Sequence, residues 1–214
     1  KKIFLVKNDY FFKTVSDDMN SPQFILKLII WISAFYPVFH LIIIGFSNEF
    51  GANPIEFLNR YLGYWALSFL IVALSITPIY IFTRWALIMK VRRLVGLVAF
   101  FYAVLHVSFY VGIDQFFKWG LIFEDVLKRK YITFGLLAFF LLVPLAATSN
   151  KLMIKFLGAR RWVLLHKCAY LSAIFACAHF LMMRKGFDLE PICYIIILGF
   201  LYLVRLVNYK MSLR

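Results

Sequence analysis

The chain has 214 residues, of which 64% are hydrophobic and only 16% charged, yet its net charge is +14. Soluble domains carry roughly a quarter charged residues, and a chain this short has too high a surface-to-volume ratio to hide so much apolar surface, 25 phenylalanines included. A water-soluble enzyme is excluded, no nucleic-acid partner is expected, and the chain reads as an integral membrane protein with the lipid bilayer as its solvent.

Residues 1–26 form an N-terminal cytoplasmic or interfacial segment. It contains Asp17 and Asp18 and lacks both a long apolar core and a small-residue cleavage site, so it does not read as a signal peptide. Residues 27–210 carry six apolar runs, at Lys27–Phe46, Tyr61–Phe82, Leu94–Gly112, Tyr131–Ser149, Trp162–Met183 and Pro191–Val207. Most are close to the ~20 residues that a helix needs to cross the hydrocarbon, and none shows the period-two alternation of a barrel strand. The expected fold is therefore an all-α, six-transmembrane helix bundle. The basic residues alternate between its two ends: the N-terminal segment through Lys27, the second and fourth loops and the C-terminal end hold sixteen Lys and Arg, the other three loops seven. This bias predicts that both termini are cytoplasmic. The longest outer loop, "IDQFFKWGLIFEDVLKRK", mixes aromatics with charges at helical spacing and is expected to lie along the membrane surface. Cys168, Cys177 and Cys193 fall inside apolar runs and read as packing thiols. No internal repeat is evident.

All four histidines, His40, His106, His166 and His179, lie in the apolar runs. An ionisable side chain inside a bilayer is costly and points to function. His106 is eight residues before Asp114 at the outer end of the third run, and His179 is five before Arg184 at the outer end of the fifth. At ~1.5 Å per residue their depths differ by under about 5 Å, so the two imidazoles can clamp the iron of a b-type haem from opposite faces. Arg184 and Lys185 stand where haem propionates would want cations, with Phe100, Phe101, Tyr102, Phe109 and Phe175 as apolar walls. His166 lies near the inner end. Thirteen residues separate it from His179, which places the two on different faces of an ideal helix unless a π-type irregularity realigns them. It is therefore assigned to an inner cofactor or quinone site, and His40 to a packed, hydrogen-bonded position.

The runs "RRLVGLVAFFYAVLHVSFY" (92–110), "LGARRWVLLHKCAYLSAIFACAHFLM" (157–182), "FGANPIEFLNRYLGYWALSFLIVALSITP" (50–78) and "YITFGLLAFFLLVPLAATS" (131–149) resemble the haem-binding membrane subunits of bacterial periplasmic methionine sulfoxide reductase systems, within the ferric-reductase-like transmembrane superfamily. The resemblance implies a ferric-reductase-like haem b protein, multi-pass in the bacterial inner membrane. Such a protein passes electrons from the quinone pool, or from a cytosolic flavin reductase, to a periplasmic molybdopterin subunit that repairs oxidised methionines. It carries the family's histidines onto His106, His166 and His179, and implies an associated flavin mononucleotide (FMN). Arg92, Arg93 and Arg161 belong to the inner basic loops, which could hold the FMN phosphate. The residues themselves show no nucleophile–base pair, no paired carboxylates and no dinucleotide fingerprint, so the substrate chemistry is expected in a partner. A stand-alone ferric or quinone reductase, and in a different class a proton-relay transporter or membrane anchor, are the competing readings.

Overall fold

The loop before the second span shows why its helix outruns its hydropathy. In the computed structural model, which describes residues 21–47, 49–184 and 188–212, that helix starts at Pro54, well before Tyr61. Asn53 caps it: the side-chain oxygen accepts from the Glu56 amide at 3.2 Å. Pro54 occupies the first turn, where a missing N–H costs nothing, and Glu56 sits at the positive end of the helix dipole. These polar residues end the apolar run but not the helix. The N-terminal segment up to residue 20 lies outside the described residues.

The helices are α1 (Pro22–Ser47), α2 (Pro54–Thr83), the short α3 (Ala86–Met89), α4 (Arg92–Phe109), α5 (Trp119–Lys128), α6 (Lys130–Ala147), α7 (Lys151–Leu157), α8 (Ala159–His166), α9 (Cys168–Met183) and α10 (Leu189–Ser212). No strand occurs among the described residues. Six segments are long and apolar enough to cross a membrane: α1, α2, α4 with its continuation to Asp114, α6, α8 with α9, and α10. Helix α4 runs on into a π-helical turn, Tyr110–Asp114, and α5 is the amphipathic helix expected in the longest loop, with Trp119, Phe123 and Leu127 exposed. Because consecutive spans are antiparallel, the loops fall at two ends. The basic end carries residues 84–92 and 150–161, and the opposite end carries residues 49–53 and 113–130 together with Arg184 and Asp188.

The most extensive packing lies within two helix pairs, α2 with α4 and α6 with α9. Small residues let the backbones approach. Ala99 on α4 and Ala173 and Ser172 on α9 are completely buried, and the Ser172 hydroxyl donates to the Ala138 carbonyl of α6 at 2.8 Å. Tyr102, also completely buried, donates to the Ala34 carbonyl at 2.5 Å and ties α1 to this core.

Arg205 is a charged residue within the sixth apolar run. It lies within α10, and its Nη2 donates to the Leu74 carbonyl of α2 at 2.7 Å, with the guanidinium 4.7 Å from the centre of the Tyr170 ring. Leu74 lies four residues before Pro78, which has no N–H, so this carbonyl lacks its helical donor. Arg205→Leu is expected to destabilise the protein by about 2 kcal/mol, as for a hydrogen bond to a charged group, measured by unfolding in detergent. Adding Pro78→Ala, which restores the amide, should recover part of the loss. An undiminished loss would show that the arginine stabilises by another route.

Candidate functional site

Two glycines make the site. In α2, a Cβ on Gly63 would stand 3.1 Å from Cε1 of His106. In α6, a Cβ on Gly135 would stand 2.9 Å from Nδ1 of His179. Each imidazole therefore lies against a helix surface where any other residue would push it away. Flat against the helix, each ring finds a backbone carbonyl one turn before the glycine. Nδ1 of His106 donates to the Asn59 carbonyl at 2.9 Å, and Nδ1 of His179 to the Tyr131 carbonyl at 2.7 Å. With the proton on Nδ1, each Nε2 keeps its lone pair, and neither Nε2 has a hydrogen-bond partner among the described residues.

The structure brings these two histidines together. Their ring centres are 6.1 Å apart and their planes lie at 66°. Two imidazoles bound through Nε2 to one metal at about 2 Å each, with ring centres about 1.2 Å behind the nitrogens, would be separated by about 6 Å. No group of three or more His, Cys, Asp or Glu side chains is placed to hold a metal ion among the described residues. The pair therefore makes no closed metal cage, and its donor set suits a metal whose remaining ligands arrive with it, as in a porphyrin. The backbone bonds at Nδ1 are the outer support that fixes the tautomer of ligating histidines.

Asn59, Gly63 and His106 lie 72, 72 and 73 positions before Tyr131, Gly135 and His179. The same carbonyl–glycine–histidine arrangement is thus built once in the α2–α4 pair and once in the α6–α9 pair. The likeness is one of local geometry and leaves the sequence without an evident internal repeat. Only three positions repeat clearly, too few to stand out from two apolar sequences.

His166 lies elsewhere, at the basic end. No π turn joins it to His179; the helix is instead interrupted by a single turn residue, Lys167, between α8 and α9. Its Nδ1 donates to the Trp162 carbonyl at 3.1 Å, and its ring stacks on Trp162 with centres 3.9 Å apart. It lines a cavity of about 270 Å³ together with Arg92, Arg93, Trp162 and Ser149. Arg161 is exposed at the start of α8 and does not line this cavity. Arg184, at the opposite end, pairs with Asp188 at 3.2 Å and Glu190 at 2.8 Å, so the chain's own carboxylates compensate its charge. Lys185 lies outside the described residues. His40 is hydrogen-bonded through Nδ1 to the Tyr61 hydroxyl at 2.9 Å.

The aromatic walls divide. Tyr102 stacks on Phe69 in the core, Phe101 is exposed, and Phe100 stacks on Phe139 beside the basic-end cavity. Phe175 packs on Phe134, one residue from Gly135.

Residues 62–177 match the family described as the ferric reductase like transmembrane component. The chain belongs to the ferric-reductase-like transmembrane family. The matched stretch takes in Gly63, His106, Gly135 and His166 and stops two residues short of His179. The chain is also similar along most of its length to curated relatives named protein-methionine-sulfoxide reductase heme-binding subunit MsrQ. The relative from Rhodospirillum rubrum is 47% identical over 75% of this chain and 77% of its own. That from Herminiimonas arsenicoxydans is 41% identical over 85% and 84%, and that from Caulobacter vibrioides 42% over 78% and 79%. Membership of this family and the six apolar helices make the chain a multi-pass protein of a bacterial membrane.

Proposed function

We propose that this chain is the haem b-binding, electron-transferring membrane subunit of a protein-methionine-sulfoxide reductase system. The observation that carries the reading is the separation of the His106 and His179 rings, 6.1 Å, with both Nδ1 protons committed to backbone carbonyls. The names and identities of the relatives support it. His106 and His179 would hold the haem, and Gly63 and Gly135 would keep their rings in place. When bound, the haem supplies a one-electron iron couple. The protein's part is to exclude water, fix both imidazole tautomers and leave no competing protein ligand.

The distribution of charge supports an orientation with both termini in the cytoplasm and the paired histidines nearer the periplasmic face. Electrons would enter at the basic end and leave toward a periplasmic molybdopterin catalytic subunit. The cavity around His166 is the candidate entry site. Its volume, about 270 Å³, lies at the lower end of the ~300–1,000 Å³ usual for small-molecule pockets, and a quinol headgroup is the smaller of the two candidate occupants. An FMN delivered by a cytosolic flavin reductase would need its phosphate at the rim, beside Arg93. Arg161, exposed on α8, would meet such a donor at the surface.

Colour tests the central reading. Protein purified from haem-sufficient cells and reduced with dithionite should show b-type bands and about one or more haems per chain by pyridine haemochrome. A colourless, folded protein that fails to take up added haemin would overturn it. For the entry site, His166→Ala should lower the quinone or flavin that co-purifies while leaving the bands of the haem at His106 and His179 in place. Unchanged quinone and flavin content would remove His166 from that role.

A further inference from the structure

One carboxylate near the ends of the two helix pairs bonds to the helix segment that follows His106 and to the residue that opens α6, two before the carbonyl that holds His179. His106 lies one turn before the π-helical turn that opens with Tyr110, whose hydroxyl donates to Oδ2 of Asp125 in α5 at 3.0 Å. The other oxygen, Oδ1, pairs with Nε of Arg129 at 3.1 Å. Arg129 is the residue from which α6 starts, and its amide donates to the Asp125 carbonyl at 2.8 Å. Two residues on, the Tyr131 carbonyl holds Nδ1 of His179, and the Tyr131 ring packs against that imidazole with centres 6.1 Å apart. Thr133 closes the same corner by donating to the Val126 carbonyl at 2.6 Å. A continuous chain of contacts therefore runs from the helix of His106, through Asp125, to the acceptor of His179.

We infer that Asp125 is a positioning residue that sets the relative pose of the two haem-facing imidazoles, by bonding Tyr110 on one side and Arg129 on the other. This rests on the haem reading above. The bland alternative is a helix-surface ion pair, worth little because solvent screens it. Exposure argues against that. The Asp125 side chain is 17% exposed, whereas its neighbour Glu124, paired with Lys128 on the same helix, is 52% exposed. Burial and a second, non-ionic partner distinguish Asp125 from an ordinary surface charge. The π turn adds to the case. It inserts an extra residue just after His106, and so turns Tyr110 and the residues beyond it relative to a regular helix.

The test compares Asp125→Asn, Tyr110→Phe and Glu124→Gln in the haem-loaded, full-length protein. The readouts are haem content, the largest g-value of the low-spin ferric spectrum, which follows the angle between the ligand planes, and the midpoint potential. Asp125→Asn and Tyr110→Phe should keep their haem yet shift both the g-value and the potential, with Glu124→Gln matching wild type. Tyr110→Phe removes a single hydrogen bond, so it decides the matter if Asp125→Asn loses haem. Wild-type spectra and potential in Tyr110→Phe, or equal shifts in Glu124→Gln, would overturn the inference. A wild type without haem would remove both readings, whereas a red wild type with unmoved variants removes only this one.

Discussion

His179→Ala is expected to abolish the low-spin b-type spectrum, and His106→Ala to do the same. Each change leaves the other imidazole on its glycine with its carbonyl bond intact, so the protein should still fold and insert. What disappears is one of the two imidazoles that would hold the haem. Disturbing only the groups that orient a metal ligand costs about 10–100-fold in affinity, so deleting the ligand itself should exceed that. Haem content and the reduced spectrum measure the effect. His40→Ala provides the contrast: it breaks a bond to Tyr61 and should leave the b-type bands unchanged. Undiminished low-spin bands in His179→Ala would mean that the iron is bound elsewhere.

The second large effect concerns a residue without a side chain. Gly135→Val would place a branched side chain where Nδ1 of His179 now lies 2.9 Å from a bare Cβ position. The ring must then leave the helix surface and lose the Tyr131 carbonyl. Haem affinity should fall by about 10–100-fold or more, as when a metal ligand loses the group that orients it, with Gly135→Ala showing the same loss in weaker form. Gly199 in α10 is the control, because a Cβ there meets nothing within 4 Å. Gly199→Ala should leave haem binding unchanged and stabilise the helix by about 1 kcal/mol. Titration of the apoprotein with haemin and unfolding in detergent would measure both. Full haem affinity in Gly135→Val would show that the ring does not need its present position.

These two expectations differ in how far the sequence foretold them. The histidines were legible because a polar ring in an apolar run is costly and because helix rise converts residue number into depth. The six spans were legible for the same reason, that length and hydropathy must match the bilayer. Gly63 and Gly135 were not. A glycine inside an apolar helix looks like any close-packing residue until the neighbouring helix shows what fills the gap. The carbonyls of Asn59 and Tyr131 leave no mark at all, since every residue has one. The span limits failed where polar caps such as Asn53 extend a helix beyond the hydrocarbon. The role of Arg205 left no mark in the sequence because its carbonyl partner lacks a helical donor only through Pro78 on another helix, and aromatic residues named as porphyrin walls, such as Tyr102, serve the core instead.

The duplicated arrangement of carbonyl, glycine and histidine bears on assembly. Each helix pair orders its own imidazole, so each half of the receptor can be ready before any prosthetic group arrives. Between the halves the direct packing is sparser than within them. A group gripped by both would then act as a rivet across the seam, and its loss would loosen the joint while sparing the parts. Cells starved of porphyrin should consequently accumulate a chain that inserts normally but is cut more readily by proteases at the loops connecting the two halves.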